Sequence, residues 1–365
     1  MKLSQECILL QRELRKFAQQ TLADKVDELD KSCRFPLEDI KDLANMGMLG
    51  AIIPETYGGA AMDATGLTVV LEELSKVCAS TAFVIASHNA FFVYPVLKFG
   101  REEMKKRYLP GATRGEFIGG YALHRTNELS LVDAADGPCI SGRNPFVLNA
   151  AADGPLVVAL PEGEANNSTV YVLDKGTPGC RSGRPGSTIG LKAAGLGEYI
   201  FEKCCPAAAD MIGEVRQGAK VLESMHDYAR VSMSAIALGI AQGAADAAVK
   251  YARERVQFER PIINFGMVRE QVSDMITNIE SARHLVYEAA RRIDQGEDYR
   301  SAAAMAMLVA GRAATATTTT AIQVYGGYGY MKDYPAERFF RDAQMINVIC
   351  STPDEDKEII AKGTL

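Results

Sequence analysis

The sequence predicts an α+β protein with a helical domain at each end and a small β domain between them. Three observations carry this: helical apolar spacing before about residue 115, short apolar runs broken by turn residues up to 212, and helical spacing again from 213 onward. The expected domains are therefore 1–115, 116–212 and 213–365, with the last a four-helix bundle against which the sheet packs.

In the first part, Leu9, Leu14 and Phe17, and then Ile40, Leu43 and Met46, recur at three- and four-residue spacing. Ile53-Pro54-Glu55-Thr56-Tyr57-Gly58-Gly59 interrupts this pattern, because a proline and two glycines force a turn. A second helical run spans Leu67 to Lys76. The middle part offers Phe117-Ile118, Leu156 to Leu160, Val170 to Leu173 and Tyr199 to Phe201 as strand segments. In the third part, Val268, Val272, Met275, Ile279, Ala282 and Val286 mark one helix face. Thr317 to Thr320 sit in an alanine-rich helical context that reads as a close-packing face.

Composition excludes several function classes. The 365 residues carry 40 basic and 46 acidic side chains for a net charge of -6, well mixed, which provides no basic face for nucleic acid. The eight cysteines (7, 33, 78, 139, 180, 204, 205 and 350) lack paired metal-ligand spacing, and a reduced set of thiols is expected. The N-terminus has neither an uninterrupted apolar core nor a small-residue cleavage site, and no run approaches the roughly 18 apolar residues of a membrane span. No membrane span and a cytoplasmic location are the expectations.

Four segments together resemble the acyl-CoA dehydrogenase family of flavoproteins. They are Pro54 to Gly59 (PETYGG), Arg255 to Ile262 (RVQFERPI), Gln323 to Tyr330 (QVYGGYGY) and Glu337 to Ala343 (ERFFRDA), and the similarity extends over roughly residues 3–362. The resemblance implies FAD shared across a subunit interface, an acyl-CoA substrate, a tetramer and an electron-transferring flavoprotein as electron acceptor. It also assigns Arg255, Gln257 and Phe258, with Gln323, Gly326 and Gly327, to the diphosphate and adenine end of a neighbour's FAD. Such residues suit the task, since a guanidinium forks onto phosphate and glycines admit close approach. Glu259 stands where the family usually has glycine, and Gly266 where it often has a flavin-contacting glutamine.

The own-subunit flavin contacts diverge from the pattern. The segment Tyr121 to Ser130 (YALHRTNELS) lacks the family's proline and glycine, and Phe146-Val147-Leu148 replaces a tryptophan, isoleucine and threonine. Dehydrogenation needs a carboxylate to remove the proton alpha to the thioester. The resemblance places that base at Cys350 or, in some members, at Ala229, so neither position holds it. Asp227 and Arg230 match residues that contact acyl-CoA, and a helix-surface ion pair explains them as well. His124 and His226 are the other acid-base candidates, and Glu355 and Glu358 lie close enough to Cys350 to stand in for the base. The acidic run after Cys350 is expected to disfavour its thiolate.

These features predict a subunit that completes the flavin site of a related catalytic chain. Two alternatives stand beside it: a homo-oligomer of the same fold with non-standard acyl-CoA chemistry, and a non-catalytic acyl-CoA-binding protein.

Overall fold

The computed structural model describes residues 3–123, 128–134, 137–152, 154–161 and 168–365. The N-terminal third is helical: α1 (Gln5–Phe17), α2 (Val26–Ser32), α3 (Leu37–Asn45), α4 (Ala64–Ser75), α5 (Ala79–Ser87), α6 (Tyr94–Phe99) and α7 (Glu102–Thr113). Ser4 caps α1 by accepting from Cys7 N at 3.1 Å. The PETYGG turn is a short 3-10 segment, Glu55–Tyr57, and a Cβ on Gly59 would stand 2.0 Å from Ile53 O, so only glycine closes it.

The α5 and α6 helices are joined by a π-helical segment, His88–Val93, giving one apolar rod from Ala79 to Phe99. This rod and the helix Gly218–Glu254 are long and apolar enough to cross a membrane, which corrects the expectation that no such run exists. Both lie inside the fold, however, with 78% and 83% of their apolar windows buried. Interior helices of a large domain are apolar all round for the same reason as a span.

The middle sheet runs in the order β6-β7-β3-β1-β4-β5-β8, with β2 added beside β3. Its strands are β1 (Gly120–Ala122), β2 (Glu128–Ala134), β3 (Gly137–Leu148), β4 (Leu156–Pro161), β5 (Ser168–Leu173), β6 (Cys180–Pro185), β7 (Gly197–Cys204) and β8 (Met211–Ile212). Three of the four segments expected from apolar runs are strands. Phe117-Ile118 is not, because it leads into β1 from the end of α7. The part of β3 paired with β2, residues 137–143, carries polar and glycine positions and has no apolar run to announce the hairpin.

The antiparallel register that pairs Ile140 with Cys204 brings Cys139 beside Cys205, and these two form a disulfide. This corrects the expectation of a fully reduced set of thiols; the other six cysteines are not disulfide-bonded. Cys204, the last residue of β7, is buried, and Cys205 just beyond the strand end is exposed. On the buried side Cys204 meets the Cys180 side chain within hydrogen-bonding reach, and no cluster able to hold a metal occurs among the described residues.

The last third contains α8 (Gly218–Glu254), the hairpin β9 (Val256–Gln257) and β10 (Arg260–Pro261), α9 (Gly266–Asp294), α10 (Arg300–Tyr325), α11 (Ala336–Ile349) and α12 (Pro353–Thr364). The helices α8, α9, α10 and α11 pack together as a bundle, with α4 and α5 laid against α8. Met275, Ile279, Ala282 and Val286 are buried and Val268 and Val272 half-buried, the stripe expected from spacing. Thr317 and Thr318 are buried on α10. Close helix approach is built in: a Cβ on Gly239 would meet Ser75 Oγ at 1.9 Å. Asp294, at the end of α9, accepts from Ala64 N at 2.6 Å and Thr65 N at 3.1 Å, so the C-terminal bundle caps a helix of the N-terminal third.

Candidate active site and flavin-binding face

The residues singled out in the sequence separate into two places with opposite character. One lies outward, at the end of α8. The helix stops at Glu254, and β9 and β10 pair Gln257 with Arg260 around a two-residue tip, Phe258-Glu259. Both tip residues have positive φ, 49° and 62°, the conformation of a type I′ hairpin turn. Glycine suits the second tip position, so Glu259 holds the turn at a cost of about 1–2 kcal/mol.

Phe258 is 86% exposed and Tyr330 89% exposed, and Val256, Met267, Tyr328 and Met331 are also exposed apolar residues. The Arg255 guanidinium lies over the Tyr328 ring at 5.5 Å. The loop after α10 starts at Gly326, φ 60°, and added Cβ atoms on Gly326 and Gly327 would meet nothing within 4 Å. Gln257 and Gln323 are exposed. Arg255, Gln257, Phe258, Gln323, Gly326 and Gly327 thus share one outward face, with amide donors, a cation and open glycine backbone presented to whatever docks there. Gly266 is also exposed with open space around it.

The second place is buried around Cys350, which follows α11 and is 0% exposed. Its carbonyl lies 3.2 Å from His226 Nδ1, while His226 Nε2 is 3.2 Å from the Tyr121 hydroxyl. Next to it, Arg230 donates from Nε to Asp356 Oδ1 and from Nη1 to Asp227 Oδ1, each at 2.8 Å. Ser351 Oγ donates to the other Asp356 oxygen at 2.9 Å. Burial works against the Arg230 charge, but Cys350, Asp356 and Asp227 together hold its pKa above the ordinary value. Burial also pushes the Asp227 and Asp356 carboxyls up, against the pull of Arg230.

Of the acidic run after Cys350, only Asp356 reaches the site. Asp354 pairs with Lys357 at the surface, and Glu355 caps α12 by accepting from Thr352 N at 2.8 Å. Asp356 turns inward and pairs with Arg230, a cation that interacts with Cys350. Glu358 pairs with Lys362 and is exposed, so neither glutamate replaces the base. Ala229 is fully buried and carries no acid-base group. His124 lies outside the described residues. Asp227 and Arg230 are not a helix-surface pair: both are buried, and Arg230 is shared with an aspartate 126 positions away. The sequence signalled neither this role of Asp356 nor the inward packing of Phe91 and Tyr121, because both depend on which helix turn faces the site.

Of the inward flavin positions, Val147 and Leu148 are fully buried in the apolar core and Phe146 is 41% exposed. Leu148 offers no hydroxyl where the resemblance calls for one. The outward face thus offers donors that suit the phosphate-bearing end of a flavin nucleotide, and the inward positions offer no hydroxyl for its ring.

An outward face of cation, amide and open glycine backbone and a buried pocket around Cys350, set on a helix-sheet-helix frame, define the class of protein as an acyl-CoA dehydrogenase-type fold. The family models agree: "Acyl-CoA dehydrogenase, N-terminal domain" matches residues 4–116 and "Acyl-CoA dehydrogenase, C-terminal domain" matches residues 216–365. The chain belongs to the acyl-CoA dehydrogenase family.

Among its relatives, an acyl-CoA dehydrogenase of Bacillus subtilis is 32% identical, covering 100% of this chain and 99% of its own length. The acryloyl-CoA reductase (NADH) of Anaerotignum propionicum is 35% identical, covering 100% and 95%. The butyryl-CoA dehydrogenase of Megasphaera elsdenii superposes with a TM-score of 0.95 at 29% identity, covering 100% and 99%. A chain solved in work on the electron transferring flavoprotein of Acidaminococcus fermentans gives a TM-score of 0.96 at 32% identity, covering 100% and 99%.

Proposed function

We propose that this chain is a subunit of a heteromeric acyl-CoA dehydrogenase, in which its outward face completes the flavin site of a related chain that carries the catalytic base. The observation that supports it is the asymmetry between the two places. Arg255, Gln257, Gln323 and the open Gly326-Gly327 backbone stand ready at the surface, while Cys350 replaces the base inside a hydrogen-bonded, buried cluster. FAD, when bound at such an interface, takes the hydride from the beta carbon of the acyl thioester. This chain's part is to bind and orient the cofactor: Arg255 supplies charge to phosphate, and the glycine loop supplies backbone amides.

The relatives named as dehydrogenases and reductases act in opposite directions on related chemistry, so the reading covers redox at the Cα–Cβ bond of an acyl-CoA either way. An electron-transferring flavoprotein is the expected electron partner of the assembly, and a tetramer of paired chains its expected form. The test is flavin content. The chain purified by itself is expected to be flavin-poor, and co-purification with a related catalytic subunit is expected to give one flavin per pair. A bound flavin for every chain of the isolated protein would refute the half-site reading.

A further inference from the structure

In front of Cys350 three rings from three different elements are in mutual contact. Phe91 comes from the π-helical segment, Tyr121 from β1 and His226 from α8. Phe91 stacks on Tyr121 with centroids 5.0 Å apart and planes 6° from parallel. His226 meets both edge-on, 5.6 Å from Phe91 and 5.9 Å from Tyr121. Phe91 and Tyr121 are 0% exposed and His226 5%. The hydrogen bonds already described tie this group to the Cys350 carbonyl on one side and to the sheet on the other.

We propose that Phe91, Tyr121 and His226 plug the acyl pocket of this chain, so that its own half-site admits no acyl thioester. The proposal rests on the half-site reading above and adds a steric cause to the missing base. It is carried by what surrounds the position assigned to substrate. Asp227 and Arg230, the residues expected to contact acyl-CoA, are spent on each other and on Asp356. A second aromatic layer closes the neighbouring space: Tyr94 stacks on Tyr228 at 4.3 Å, and the Tyr94 hydroxyl lies 3.0 Å from Ser224 Oγ and 3.2 Å from the Tyr299 hydroxyl. Lys98 donates to the same Tyr94 hydroxyl at 2.8 Å.

The π-helical segment explains how the plug is positioned. One extra residue per turn rotates the side chains that follow it relative to an α-helix, and such insertions occur where a helix must aim a group that regular geometry would misplace. Here Asn89 Nδ2 donates to Met48 O and Ile85 O, each at 3.0 Å, which fixes the widened turn against the turn after α3 and against α5. Phe91 then projects onto Tyr121. Seating a thioester carbonyl beside Cys350 would require breaking the His226 bridge and separating stacked rings inside a close-packed core, where no neighbour can yield without a compensating shift.

The experiment is calorimetric titration of the full-length chain with butyryl-CoA. No saturable binding is expected for the native chain, and Phe91→Ala combined with His226→Ala, checked for an unchanged circular-dichroism spectrum, is expected to gain affinity by about tenfold or more. A folded double variant that gains nothing would overturn the plug. So would saturable binding by the native chain that the conservative Phe91→Tyr substitution weakens, since that places the thioester in the space held to be closed. Binding that Phe91→Tyr leaves unchanged lies elsewhere on the chain and upholds the plug. Flavin content of the co-purified pair is a separate readout, so a failed plug and a failed half-site reading are distinguishable.

Discussion

Arg230 on α8 donates a 2.8 Å hydrogen bond to Asp356 on α12, and the pair joins the long central helix to the last helix at the edge of the Cys350 site. Both side chains are buried, Arg230 at 4% and Asp356 at 2% exposure. Removing one partner of such a pair leaves an uncompensated charge, which costs more than the pair contributes. Asp356→Ala is therefore expected to destabilise the chain by about 3 kcal/mol, because Asp227 retains only part of the compensation. Urea unfolding at neutral pH measures it; a loss under about 1 kcal/mol would show that Arg230 finds another partner.

His88 adds a pH dependence to the N-terminal core. Full burial pushes its pKa down to about 3, and its Nδ1 accepts from Gly119 N at 2.9 Å. The unfolded chain takes up this proton near pH 6.5 while the folded chain does not, so stability falls as pH drops from about 6.5 towards 3. The slope from this one group reaches about 1.4 kcal/mol per pH unit. His88→Asn, which keeps a neutral acceptor for Gly119, is expected to flatten the decline between pH 6 and 4 in denaturant midpoints. An unchanged slope would remove His88 as its source.

Asp342 works in the other direction. Burial pushes its carboxyl up to about 6, against the Leu191 N–H that donates to it at 2.7 Å. The folded state binds this proton more tightly than the unfolded state, so its contribution is full below about pH 4 and lost as pH rises through about 6. Asp342→Asn keeps an acceptor for Leu191 without the charge and is expected to raise stability at pH 7 by about 1 kcal/mol. Comparison of the variant and native melting curves at pH 4 and pH 7 is decisive, with the gain confined to the higher pH.

The hairpin tip should respond to glycine. Glu259 holds a φ of 62° in the second position of its turn and is exposed. Glu259→Gly relieves that strain and is expected to stabilise by up to about 1 kcal/mol. Loss of stability on thermal melting would mean that the exposed carboxylate contributes more than the backbone conformation costs.

On the outward face, the 86% exposure of Phe258 and the half-exposed Arg255 predict a separation of effects. Arg255→Gln should leave the isolated chain's unfolding unchanged within about 0.5 kcal/mol, as surface changes generally do. In the assembled pair it should lower flavin retention by about tenfold, the loss of one charge-assisted phosphate contact. Equal flavin retention by the variant pair, followed by gel filtration and absorbance, would detach Arg255 from the cofactor.

Much of the frame was legible in the chain because it rests on local rules. The helical spacing of Met275, Ile279, Ala282 and Val286 set a buried face, and PETYGG set a turn whose second glycine has no room for a Cβ. The β2–β3 hairpin was not legible, since its polar and glycine residues are stabilised by pairing across the sheet and not by an apolar period. The Cys139–Cys205 disulfide escaped for a related reason: partners 66 residues apart are chosen by strand register, which spacing in sequence does not encode.

By itself, then, the sequence determined the order of helix, sheet and helix and the motif set from Arg255 to Gly327, which resemble the acyl-CoA dehydrogenases and so imply Cys350 where the carboxylate is expected. These follow from residue identity, periodicity and motif order, which are properties of the chain. Only the tertiary structure decided that Asp356 turns inward while Asp354 and Glu355 stay at the surface, that Arg230 is the cation beside Cys350, and that Phe91, Tyr121 and His226 meet in front of it. The physical reason is that a side chain's charge environment and free volume come from elements brought together by packing, here α8, α12, β1 and a π-helical turn, whose separations in sequence say nothing of their contact.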